Sequence, residues 1–166
     1  VLLSTQRSDR GAYQALSREH RVHKTYQAIA PYQPELGFPR EHHSRMQESG
    51  HFIRMQEVAG PPNSHTRLTL LEHNTHWARY QLEPISGKRH QLRVHMAALG
   101  IGILGDGLYP EVNDAPEGDF SRPLRLLAQA IAFTDPLTQQ QRHFHSQYTL
   151  GALPPGPEPE PAPSGQ

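Results

Sequence analysis

Three short segments in mid-chain, His51 to Val58, Thr66 to Glu72 and His76 to Glu83, constrain the fold more than any other feature. Each is strand-like in pattern, and Gly60-Pro61-Pro62-Asn63 and His73-Asn74-Thr75 separate them as turns. Consecutive strands on short turns predict an antiparallel meander. Flanking segments extend the pattern. Lys24 to Ala30 alternates polar and apolar residues until Pro31 stops it. Leu124 to Phe133 and Arg142 to Tyr148 read as closing strands, Ile101 to Leu104 as a short apolar one, and Val1-Leu2-Leu3 as the end of a buried one. Two helices are expected, one capped by Ser8 and running to about His20, the other from Lys88 to Leu99 and ended by Gly100. Tyr32 to Gly50, punctuated by proline and glycine, reads as an irregular connection, and an acidic loop runs from about Pro110 to Pro123. Strands in runs with few helices predict an α+β fold with a mixed, mostly antiparallel sheet.

Composition narrows the function classes. The 166 residues suffice for one core, and the predicted domain is 1–149. Residues 150–166 are proline-rich without apolar periodicity, so they are expected to form a disordered tail. Cysteine is absent, which excludes a disulfide framework and thiolate metal ligation. No apolar run approaches the ~20 residues of a membrane helix, and Val1-Leu2-Leu3 lacks the basic flank of a signal peptide. The chain is expected to be cytoplasmic, without membrane contact and monomeric. Formal net charge is zero. Its distribution is uneven: Arg7, Arg10, Arg18, Arg21 and Lys24 face only Asp9 and Glu19 within the first thirty residues. Local field matters more than the total for an acidic partner.

The run Ser86-Gly87-Lys88-Arg89-His90-Gln91-Leu92-Arg93-Val94-His95 sets a glycine, a basic pair and a helix start side by side. Gly87 is expected to supply a sharp turn, since glycine reaches angles closed to other residues. Leu92, Met96 and Leu99 recur at helical spacing, and Arg89 and Arg93 stand four apart, which would place both on one helix face. Taken alone, that reads as a solvated basic face, and Tyr26 as a half-buried strand aromatic.

The order of residues points further. Gly87-Lys88-Arg89-His90-Gln91-Leu92-Arg93-Val94-His95, followed by Ile103-Leu104-Gly105-Asp106-Gly107-Leu108-Tyr109, resembles the RNA pseudouridine synthases of the RluA family. Arg21-Val22-His23-Lys24-Thr25-Tyr26-Gln27-Ala28 is similar to the family's tyrosine-bearing segment. Leu124-Arg125-Leu126-Leu127-Ala128 with Phe133-Thr134-Asp135-Pro136 is similar to its closing strand and turn. The resemblance spans about Val1 to Tyr148. Gln129, where the family commonly has histidine, and the pair Lys88-Arg89 depart from the family pattern.

That resemblance implies isomerisation of uridine to pseudouridine in ribosomal or transfer RNA, with no metal and no cofactor. Such chemistry takes the base out of the stack and needs a carboxylate nucleophile, an aromatic wall and a cation that keeps the carboxylate ionised. By the motifs, the tyrosine is Tyr26 and the cation is Arg93, whose guanidinium lowers the pKa of a nearby aspartate. Lys24 joins the RNA-binding candidates. Lys88, Arg89 and His90 either touch RNA phosphate or solvate the helix start. The family's aspartate lies in a His-Arg-Leu-Asp block that does not occur in this sequence. The nucleophile is therefore expected before Val1, and this chain alone is expected to be inactive and marginally stable. Of the five aspartates, only Asp106 is a tempting substitute, and its place in a turn argues against it. Two rivals remain: a non-catalytic RNA-binding remnant of the same fold and, more distantly, a histidine-rich metal protein. Among the twelve histidines, only His143 and His145 have a spacing that puts both rings on one strand face.

Overall fold

The computed structural model describes residues 6–50, 53–112 and 121–157. In chain order the elements are α1 (Arg10–Arg18), β1 (Val22–Pro31), β2 (Arg40–Glu48), β3 (Met55–Val58), β4 (Ser64–His73), β5 (Trp77–Pro84), α2 (Gln91–Ala98), β6 (Leu126–Thr134) and β7 (Gln141–His145), with a 3-10 turn at Pro34–Leu36. The strands form one seven-stranded sheet in the order β3-β2-β4-β5-β1-β6-β7. Every pairing among the described residues is antiparallel. The α+β class holds.

The expected meander is corrected at one point. Strand β2, read as irregular connection, lies between β3 and β4 and pairs with both. Its inward residues explain why apolar periodicity missed it: His42 and Ser44 face in beside Met46, and hydrogen bonds rather than apolar contact satisfy them. The expected strand at Ile101 to Leu104 is a buried coil instead. Ile101 and Ile103 are buried, but Gly100 and Gly105 take left-handed angles at either side and stop a ladder from forming. What remains is a bridge in which Leu104 donates to the Ile29 carbonyl at 2.9 Å and Arg125 donates to that of Leu104 at 2.8 Å.

Helix α1 is held by Leu16, 1% exposed, a burial that contributes about 2 kcal/mol. Asp9, not Ser8, is its N-cap residue, without a side-chain cap bond. Gly100, at φ +75°, follows α2 as expected. Val1-Leu2-Leu3 lies outside the described residues.

One face of the sheet carries the main core. Ala28, Ala30, Leu68, Ala78, Tyr80 and Leu82 meet Leu92 and Met96 of α2 there. The other face holds Ile29 and Trp77 under Leu150 and Leu153. This corrects the expected tail boundary. Residues 150–157 are docked: the Arg79 side chain donates to the Gly151 carbonyl at 2.5 Å, Asn74 donates to that of Pro154 at 2.8 Å, and the Trp77 indole donates to that of Gly156. Two leucines three apart and unpaired carbonyls gave the segment enough to bury and to bond.

A polar seam fastens α2 to β4. His95, 0% exposed, has Nδ1 at 2.9 Å from Thr66 Oγ1 and Nε2 at 3.0 Å from Ser64 Oγ and 3.1 Å from Ser44 Oγ. Burial foremost, then the nearby His42, His65 and His43, lowers its pKa to about 3, so the ring is neutral. The ordinary histidine value is about 6.5. Below that pH the unfolded chain binds a proton that the folded chain refuses, so stability is full above about pH 6.5 and falls as pH drops toward 3. Denaturant titrations should therefore show a loss approaching about 1.4 kcal/mol per pH unit between pH 6 and 5, before the carboxylates titrate. A flat profile across that interval would contradict a neutral buried His95.

Candidate active site

The start of α2 is built by one glutamine. Gln91, 3% exposed, accepts from the Ser86 hydroxyl at 2.7 Å and the Lys88 N–H at 3.1 Å through Oε1. Its Nε2 donates to the His65 carbonyl and to Thr66 Oγ1, each at 2.9 Å. All four hydrogen-bonding capacities of the amide are used. The turn is not made as expected. Gly87 does not take a positive φ, and the left-handed residue is His90, the N-cap, at φ +53°. The helix therefore begins at Gln91, and Arg89 falls in the turn before it. Arg89 and Arg93 do not share a helix face: Arg89 Nη2 lies 3.7 Å from Glu48, whereas Arg93 reaches Asp106.

Arg93 grips Asp106 with both teeth of one edge, Nε to Oδ2 at 2.8 Å and Nη2 to Oδ1 at 2.6 Å. The Asp106 side chain is 1% exposed and that of Arg93 17%. Asp106 Oδ1 also accepts from the N–H groups of Leu108 at 2.9 Å and Tyr109 at 3.1 Å. Gly105 makes this turn possible. At φ +77°, a Cβ added there would stand 2.3 Å from the Pro123 carbonyl oxygen. Arg93, expected to await a carboxylate from outside the chain, thus already holds one from within it. Asp106 in turn has both oxygens engaged, which leaves it poorly placed to attack.

Tyr109 ties the parts together. Its ring lies 5.2 Å from the guanidinium carbons of both Arg93 and Arg54. Its hydroxyl accepts from the Met55 N–H at 2.7 Å and lies 3.0 Å from His90 Nδ1. His90 is accordingly turned inward, and burial, followed by the charges of Arg93 and Arg89, lowers its pKa. Tyr109 belongs to the Ile103–Tyr109 segment, whose sequence alone assigns it no role. The Asp106-x-x-Tyr109 spacing was the available signal, since an aspartate that closes a turn on its own i+3 N–H fixes that residue's direction.

Tyr26 occupies a different position. It packs against the main core and also lines a groove of about 940 Å³ beside β1, β6 and β7. Burial raises its pKa. Lys24 lines the same groove, together with Phe133, Arg142, Phe144 and His145. Tyr26 and Arg93 are linked through Leu92, which neighbours Arg93 in the helix and belongs to the core against which Tyr26 rests. The RNA-binding candidates are split likewise, Lys24 in the groove and Lys88, Arg89 and His90 at the helix start.

Histidines gather where sequence spacing did not place them. Among the described residues, Glu41, His43 and His65 form one group and His42, Glu57 and His95 another, each with ligand atoms within 4.8 Å of one another. The pair His143 and His145 belongs to neither. Both groups are assembled across strands, which no linear spacing reveals.

The Arg93–Asp106 pair supplies a direct test. Replacing Asp106 with Asn removes the charge and leaves a mostly buried guanidinium without its counter-ion, so Asp106→Asn should cost about 2–4 kcal/mol in urea denaturation. A loss within about 0.5 kcal/mol, as for an ordinary surface loop, would show that the pair does not hold the turn.

Comparison with known proteins agrees with this architecture. The family model described as RNA pseudouridylate synthase matches residues 1–98. The dual-specificity RNA pseudouridine synthase RluA of Yersinia pestis is 45% identical over 67 residues, covering 40% of this chain and 31% of that protein. Human RNA pseudouridylate synthase domain-containing protein 1 is 38% identical over 80 residues, 46% of this chain and 24% of that protein. This chain thus spans less than a third of the length of either curated relative. The solved structure of human RNA Pseudouridylate Synthase Domain Containing 1 superposes with a TM-score of 0.68 at 24% identity, covering 86% of this chain and 61% of that one, a likeness of fold. With the family model matched over more than half its length, the chain belongs to the RNA pseudouridylate synthase family.

Proposed function

We propose that this chain forms part of the catalytic domain of an enzyme that isomerises uridine to pseudouridine in structured ribosomal or transfer RNA, with the target base flipped out of its helix. The reaction breaks the bond from ribose C1′ to N1 and forms one from C1′ to C5. The C5 proton leaves and N1 gains one, so nothing is oxidised and no group is lost. In this reading Tyr26 forms the aromatic wall where the groove meets the core. Arg93 sets the charge of the site, and the nucleophilic aspartate comes from outside this chain. The observation that carries the reading is the bidentate grip of Asp106 on Arg93. It fixes the guanidinium plane by its Nε–Nη2 edge and leaves Nη1 outside the pair, a preorganised donor for a second carboxylate or for developing negative charge.

The same grip favours one rival, an RNA-binding remnant of the fold whose arginine is paired for good. Activity separates the two. The chain alone should release no tritium from RNA carrying uridine labelled at C5, and measurable release would show that the nucleophile lies within these residues. The same chain joined to a segment bearing a His-Arg-Leu-Asp block should release tritium, and should lose that activity in Arg93→Lys. Failure of the extended chain to react supports the remnant.

RNA contact has its own readout. Lys88 is exposed in the turn that leads into α2, beside Arg89. Lys88→Ala should weaken RNA binding uniformly across sequences and reduce the slope of log K against log salt by ~0.7, the share of one phosphate contact on single-stranded RNA. An unchanged slope would remove Lys88 from the RNA surface.

A further inference from the structure

We propose that Glu41, His43 and His65 form a binding site for a divalent transition-metal ion, zinc by preference, on the sheet face opposite α2. Cross-strand register makes the site. His43 lies directly opposite His65 in the β2–β4 pairing, and Glu41 precedes His43 by two residues, so side-chain alternation puts all three on one face. On the other face the same two strands present His42, Ser44, Ser64 and Thr66 toward α2.

The distances suit a small ion. Glu41 Oε2 lies 3.5 Å from His43 Nε2 and 3.4 Å from His65 Nε2. Ligand atoms at ~2.0–2.2 Å from a tetrahedral zinc stand ~3.3–3.5 Å from one another. The two imidazole rings are stacked at 3.9 Å with an angle of 20° between planes, one ligand atom from each residue lies within 4.8 Å of the others, and a rotation of the exposed His43 ring would aim its nitrogen at an ion held by His65 and Glu41. His65 Nε2 is buried and makes no well-aligned hydrogen bond, its contact with Glu41 Oε2 at 3.4 Å being an ion pair only when the ring is protonated. An ion in front of it satisfies that atom.

The supports of the site are also in place. Arg67 binds the other carboxylate oxygen, Glu41 Oε1, through Nη2 at 3.2 Å and Nε at 3.3 Å, which orients Oε2 toward the histidines. His65 is held at its backbone, where its N–H donates to Ser86 Oγ at 2.8 Å and its carbonyl accepts from Ile85 at 3.0 Å and Gln91 at 2.9 Å. Two neutral imidazoles and a carboxylate form a set that suits zinc over calcium or magnesium, which prefer oxygen. Glu41 and His43 are about half exposed, so a fourth position faces solvent. The inner group of His42, Glu57 and His95 is the weaker candidate, because both His95 nitrogens are already bonded to hydroxyl groups.

Calorimetric titration of the tag-free chain with zinc chloride, and d–d absorption with cobalt chloride, test the site. One equivalent should bind, the cobalt spectrum should be that of a low-coordinate nitrogen–oxygen site, and the melting temperature should rise with zinc. Binding should be lost in His43→Ala, an exposed position whose removal leaves the fold intact by circular dichroism, and should survive in His42→Ala and His143→Ala. Absence of binding to the unaltered chain, retention in His43→Ala, or loss in His42→Ala would overturn the proposal.

Discussion

The hydroxyl of Thr66 is the point on which the rest of the structure leans. Gln91 donates to it and His95 Nδ1 meets it, so the two most buried polar side chains of α2 converge on one atom of β4. A buried amide or imidazole without partners would cost roughly 1–3 kcal/mol, so the seam tolerates no other seating of the helix. An all-leucine face could slide by a turn on the sheet; this one cannot without leaving several polar groups dry. Specificity of docking, more than strength of docking, is what the seam provides.

Everything at the candidate site follows from that seating. Once Gln91 and His95 are fixed, Arg93 between them has a single direction, and the Gly105–Asp106 turn arrives to meet it. Tyr109 then closes the arrangement from below, its hydroxyl bonded to β3 and its ring under two guanidinium groups. Leu92 carries the same seating to Tyr26 on β1 through the core. An arginine in the role proposed for Arg93 needs its orientation settled before substrate arrives, because ordering it during reaction would consume binding energy. The Asp106 pair meets that need with a carboxylate that is itself immobilised by two backbone N–H groups.

What was legible in the sequence divides along physical lines. Strands with an apolar face, β1, β4, β5 and β6, stand out because burial writes itself as alternation, and α2 because Leu92 and Met96 recur at its period. Strand β2 was hidden, since its inward face is His42 and Ser44 and only a hydrogen-bond network makes those positions buried ones. The docked segment 150–157 was hidden for a related reason: proline and glycine signal disorder, while the two leucines that anchor it carry no period. Motif order singled out Arg93 and Tyr26 as candidates but said nothing of their surroundings. That Asp106 is the partner of Arg93 depends on a glycine turn folding back thirteen residues, and nothing local in either residue announces it.

The seam and the outer histidine group are two readings of one register. Along β2 the residues Glu41, His42, His43 and Ser44 alternate outward, inward, outward, inward, and β4 answers with His65 outward and Thr66 inward. A slip of one residue would drive Glu41 and His43 under α2 and expose His42 and Ser44, placing a carboxylate in the core and stripping His95 of a hydroxyl partner. The polar seam therefore fixes the register against such a slip, and the register in turn brings His43 opposite His65. An ion bound across those two histidines would clamp the same pair of strands from the far side. It would hold in place the strand whose His65 carbonyl anchors Gln91 and, through it, the start of the arginine-bearing helix.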